Sequence, residues 1–226
     1  MIKYAKVTNQ ETGLCDVGLG TNVQFYQSIG MQKLDVQQSD IDGNWYLSEL
    51  CPMKTDEQKA QEEKERIAKL YLTGADVERG IYQAKGMDFD DILAFVTANP
   101  PEGLDIKALR IELKANNFYR GNPYVDVIGR KLGFTKEQLD KFFEKKDYHY
   151  LTNCTLTVNA VPEESTVIIN DVEQKQITVP YGSQISIQVS AEGYKTYSDV
   201  INELLEDETL DVVMSIEDIT DNNDDK

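Results

Sequence analysis

From Cys154 to Ile216 the chain is cut into short alternating runs separated by turn residues. That punctuation allows little except a small all-β module. Thr155–Ala160, Thr166–Asn170, Gln176–Val179, Gln184–Ser190, Tyr194–Ile201 and Thr209–Ile216 are the runs. Alternation gives each strand one face for a core and one for water. Pro162-Glu163-Glu164-Ser165, Pro180-Tyr181-Gly182-Ser183 and Glu192-Gly193 supply turns between them. Runs so short and closely spaced predict an antiparallel, Ig-like β-sandwich over 151–216.

The rest of the chain predicts a modular α+β protein. Residues 1–52 read as a small α+β unit: strands from Ile2 and from Leu14, a short helix over Val23–Ile29, and a hairpin. Thr21 or Asn22 can cap that helix and Gly30 can end it. The hairpin pairs Lys33–Gln37 with Asn44–Leu50 around Asp42-Gly43. About 50 residues bury little core, so this unit is expected to pack on a neighbour or to oligomerise. Residues 53–72 form a charged connector helix, with Glu62–Arg66 and Glu65–Lys69 spaced for ion pairs.

Residues 73–150 predict a bundle of five short helices. Thr73, Asp88 and Asp105 stand where N-caps belong, and Pro123 falls in a first turn. Thr135 with Gln138 makes a capping box. The third helix, from Asp105, is expected to run to about Tyr119. After the β module, residues 217–226 form an acidic tail expected to be disordered.

Charge narrows the partners. Lys and Arg number 23 against 40 Asp and Glu, a net charge of −17. Phosphate backbones need a basic surface to displace their counterions, so no nucleic-acid partner is expected. The same balance disfavours an anionic membrane. With no apolar block at its start, the chain is expected to be made in a bacterial cytoplasm and not secreted. Cys15, Cys51 and Cys154 lack metal-ligand spacing and are expected to be free thiols.

Nothing in the sequence reads as catalytic. His149 has no nucleophile motif beside it, and Asp88, Asp90 and Asp91 are explained by helix capping. No catalytic, cofactor-binding or metal residue is assigned, and no cofactor is expected. Gly18-Leu19-Gly20 lacks the rest of a phosphate loop. Contact residues are better candidates: Trp45 and Tyr46 beside the hairpin turn, and Arg120 and Tyr124 in Phe118-Tyr119-Arg120-Gly121-Asn122-Pro123-Tyr124. That string reads as a helix–turn–helix corner with Gly121 at positive φ and Arg120 exposed. Tyr181, Tyr194 and Tyr197 are candidates for stacking on a glycan.

Two resemblances add to this reading. Leu156-Thr157-Val158, Pro162, Thr166–Asn170, Val179-Pro180-Tyr181-Gly182 and Glu192–Tyr197 resemble a PEGA-type module. That family implies a small β-sandwich used as a surface or spacer domain, with no catalytic residues to carry over. Lys3–Val7, Val17–Asn22, Phe25–Met31 and Gly43–Leu47, followed by the charged helix, resemble proteins encoded beside phage and prophage tail-fibre genes. Phe118–Pro123 and Leu132–Asp140 resemble a further phage module. These resemblances imply a non-enzymatic structural protein of the virion tail region, with tail or tail-fibre proteins as partners and self-association open to it. An assembly chaperone absent from the mature particle is the alternative, as is an adhesin whose β module binds a host-surface glycan.

Overall fold

The structure, a computed structural model, describes residues 2–217. The acidic tail expected over 217–226 lies, apart from Glu217, outside the described residues. The fold is α+β, and the chain divides into two compact units between Arg66 and Ile67.

In the first unit, β1 (Ile2–Asn9), β2 (Leu14–Gly20), α1 (Val23–Ser28), β3 (Val36–Gln38) and β4 (Trp45–Leu47) follow in order. The strands form one antiparallel sheet in the order β1-β2-β4-β3. The Asn22 side chain caps α1 by accepting from the Phe25 amide at 3.0 Å, and Gly30 leaves the helix at φ 78°. The core is thin: Tyr4, Ala5, Cys15 and Val36 are the buried apolar residues described here, and α1 buries none of its side chains. Gly18 and Gly20 have a packing role, because a Cβ on either would collide with the Tyr26 ring. That ring stacks on Tyr4 at 4.6 Å. Helix α2 (Asp56–Ala68) buries nothing and is braced by exposed ion pairs, Arg66 to Glu63 and Lys54 to Glu62, both at 2.7 Å.

The second unit opens with β5 (Tyr71–Thr73), α3 (Gly74–Lys85), α4 (Phe89–Ala98) and α5 (Ile106–Glu112). Then come β6 (Asn117–Tyr119), α6 (Pro123–Lys131) and α7 (Lys136–Lys145). Thr73, Asp88, Asp105, Asn122 and Thr135 cap the five helices, with full capping boxes at Asp88 and Thr135. One boundary departs from expectation: α5 stops at Glu112, not near Tyr119. Residues 117–119 instead pair with β5, Phe118 opposite Leu72. Tertiary strand pairing here overrides the weak helix propensity of Asn116 and Asn117. Ile92, Val96, Leu109, Phe142 and Phe143 sit at the centre of the bundle core.

A 3-10 turn over Tyr148–Leu151 leads into the β module: β7 (Asn153–Val161), β8 (Thr166–Ile169), β9 (Val172–Glu173) and β10 (Gln176–Pro180). After these come β11 (Ser183–Ser190), β12 (Tyr197–Leu204) and β13 (Glu208–Val213). They form two sheets, β10-β7-β13 and β12-β11-β8-β9. The pairs are antiparallel except β7–β13, which is parallel, a departure from the all-antiparallel expectation. Chain order explains it: β13 arrives from β12, on the opposite sheet, and crosses to the free edge of β7 instead of returning through a hairpin. Leu156, Val158, Ile169, Ile185 and Val189 are fully buried between the sheets. Strand β9, which the sequence reading missed, follows a two-residue turn with Asn170 and Asp171 at φ 49° and 63°. Both values suit a tight hairpin turn, and Asn and Asp tolerate that region better than other side-chain-bearing residues.

Candidate protein interface

The residues singled out from the sequence land in four separate places. Trp45 and Tyr46 lie on β4, both half-buried. The Lys3 ammonium sits 4.4 Å from the Trp45 ring centroid, and the Tyr46 hydroxyl donates to Asp42 at 2.7 Å. Asn44 also donates to Asp42 through its backbone N–H and its side chain. The backbone N–H and the Tyr46 hydroxyl together hold the Asp42 carboxyl down at about 2. Tyr46 and Asp42 therefore hold the hairpin together.

Arg120 is a correction. Expected at the surface, it is 3% exposed, with Asp126 at 2.8 Å and Asp140 at 2.6 Å from its guanidinium. The Nε–Asp140 approach is oblique to the N–H direction, so it is an ion pair without hydrogen-bond alignment. Burial of a cation requires such partners, and Arg120 links the start of α6 to α7. Gly121 differs from expectation as well: it has no positive φ, and is required because a Cβ would press on Ala68 at 2.9 Å. Tyr124 packs half-buried against the bundle core.

The three tyrosines proposed for a glycan do not form one platform. Tyr181 precedes β11 and Tyr194 follows it, so the eight-residue strand, about 26 Å long, separates them. All three lie partly buried against the sandwich core. Tyr181 belongs to a junction instead, 5.4 Å from His149 and 5.2 Å from Tyr150 between ring centroids. Next to it Gln138, 5% exposed, serves twice: its oxygen accepts from the Thr135 amide, and its Nε2 donates to Thr152 O at 3.1 Å and Asn153 Oδ1 at 3.2 Å. The helical bundle and the β-sandwich are thereby fastened together. The sequence reading found the cap but not the fastening, which depends on what the chain folds against.

One surface stands out, and no residue-by-residue scan of the sequence singles it out. On the outer face of the β8–β11–β12 sheet, the register aligns Ile168, Gln188 and Ser198 in one row and Ser186 with Val200 in the next. Asn202 continues it, and a shallow depression of about 610 Å³ opens over these residues, with Asp171 and Asp199 also in its lining. The centre carries no charged side chain; Asp171, Glu173 and Asp199 stand at its margins. Val200 is 51% exposed there.

On this face Ser186 bonds to Asn170 at 3.3 Å and Gln184 to Asn202 at 3.4 Å; the outer face of the other sheet is more fully self-bonded. Its polar side chains already bond to one another: Thr155 with Thr178 at 3.0 Å, Gln176 to Thr157 at 3.0 Å, Asn159 to Asp211 at 2.8 Å. Among the described residues, Gln188 and Ser198 show no side-chain hydrogen bond of this kind.

Among the described residues no group of three or more His, Cys, Asp or Glu has the placement of a metal site. None of their helices is long and apolar enough to cross a membrane. The bundle interior holds an apolar void of roughly 30 Å³, lined by Val77, Ile92, Phe118 and Phe142 among others.

Comparison with known proteins reaches the β module. Residues 153–213 match the family model described as a head fiber dimeric protein-like domain. This match relates the β module to phage fibre proteins and fits a virion-associated structural protein with other phage proteins as partners. No curated protein and no solved structure matches the chain.

Proposed function

We propose that the chain is a non-enzymatic building block of a bacteriophage virion, fibre-associated, acting through protein contacts, and that its β-sandwich pairs with a second copy. The observation that carries this reading is the coincidence of the match over 153–213 with a complete two-sheet sandwich. That sandwich is hydrogen-bonded to a helical bundle through Gln138 and presents a face whose centre carries no charged side chain. A chain of net charge −17 repels its own copies, so contact between them belongs on such a face.

The description of the matched domain favours a station on the head. The resemblance of the first 50 residues and the charged helix to tail-fibre-associated proteins favours the tail, and the PEGA-like strand pattern suits a spacer at either place. Gold-labelled antibody against the β module, applied to purified particles, distinguishes them. Label on capsid vertices or faces supports a head fibre, label along the tail supports the tail reading, and unlabelled particles refute both.

A further inference from the structure

The two free surfaces of the β-sandwich differ in what they can still bind, and its four edges are guarded. Strand β12 carries Asp199 and Glu203, β13 carries Glu208 and Asp211, β10 ends at Pro180, and β9 is two residues long. Acids, proline and brevity on edge strands oppose pairing edge to edge. The surface of β10-β7-β13 spends its polar groups on internal bonds. The opposite surface does so at Ser186 with Asn170 and Gln184 with Asn202, while Gln188 and Ser198 stay outside such bonds among the described residues. That leaves the outer face of β8, β11 and β12: concave, uncharged at its centre, with Ile168 and Val200 among amides and hydroxyls.

We propose that two copies of this chain pair face to face through this surface, with Val200, Gln188 and Ser198 at the middle of a two-fold contact. The inference rests on the pairing reading given above and adds the face that performs it. A second copy is the fitting occupant for three reasons. An uncharged centre spares two strongly acidic chains from facing like charge at close range. Amide and hydroxyl side chains donate and accept equally, as a surface that meets itself must. The domain model that the module matches is itself described as dimeric.

The area sets the strength. Two strands of eight residues with the shorter β8 and β9 beside them present on the order of 350 Å² of projected sheet. Stable interfaces bury about 800 Å² per partner. The pair is therefore weaker in solution than a standard interface and is reinforced where many copies are held on one particle.

Sedimentation velocity on the full chain, from about 1 µM to about 1 mM, tests this, with Val200→Lys, Ser198→Glu and the control Thr157→Lys. Far-UV circular dichroism and the melting temperature confirm that each variant folds; Ser198 and Val200 are exposed, and Thr157 is half-buried on the outward face of β7. The expected result is a dimerising wild type, a Kd raised about a hundredfold or more by Val200→Lys and by Ser198→Glu, and no change with Thr157→Lys. A wild type that stays monomeric throughout refutes pairing itself. A wild type that dimerises while Val200→Lys and Ser198→Glu dimerise equally well refutes this face and leaves pairing standing, as does selective loss with Thr157→Lys.

Discussion

The N-terminal unit and the C-terminal sandwich have similar lengths and opposite economies. The sandwich buries a dozen apolar side chains between two sheets, seven of them with essentially no exposure. The first unit centres on Ala5, Cys15 and Val36, and leaves Leu19, Val23, Phe25 and Ile29 exposed around a helix that buries nothing. Apolar burial is the main favourable contribution to folding. The sandwich is therefore a self-sufficient body, and the first unit depends more on hairpin hydrogen bonds and outside contacts.

Trp45, the only tryptophan, lies in the first unit, so its fluorescence reports that unit alone, while far-UV circular dichroism is dominated by the second. In a urea titration the Trp45 signal should change first. Coincident transitions would erase the contrast.

The largest expected effect is in the sandwich. Leu156→Ala, at a position with no exposure, should cost about 3 kcal/mol and shift the circular-dichroism transition while sparing Trp45. Arg120→Ala leaves Asp140 beside an emptied pocket and should cost about 3 kcal/mol in the same transition. A surface role for Arg120 would instead give a change under about 0.5 kcal/mol.

Val36→Ala in the first unit should cost about 1–2 kcal/mol, visible in Trp45 fluorescence and not in the second transition. The smallest effect is a pH dependence. Asp42 is held near 2, below its ordinary 3.8, so its contribution is complete above about pH 4 and lost as pH falls through about 2. An acid titration followed at Trp45 should show this loss, and Asp42→Asn should flatten it.

Local chemistry was legible in the sequence wherever a residue acts on its own neighbours. Thr73, Asp88, Asn122 and Thr135 cap helices at the expected positions, and most β runs fall where alternation placed them. The run expected over Tyr194–Ile201 is displaced to Tyr197–Leu204, and that over Thr209–Ile216 stops at Val213. Long-range pairing was hidden. The strand at 117–119 exists because Leu72 lies opposite Phe118, and β13 runs parallel because the free edge of β7 is in the other sheet. Arg120 reads as exposed in a turn-rich string, and only the approach of α7 with Asp140 buries it. The contact face was invisible for the same reason: Ile168, Gln188, Ser198 and Val200 come from three strands and meet only through register.

The central claim is that this protein is a part of the particle and works by contact. Quantitative mass spectrometry of gradient-purified virions measures it directly, by counting copies of the chain against the major capsid protein. The account predicts a fixed copy number that is a multiple of two and survives high-salt washing. A chain abundant in infected cells but missing from finished particles would contradict it.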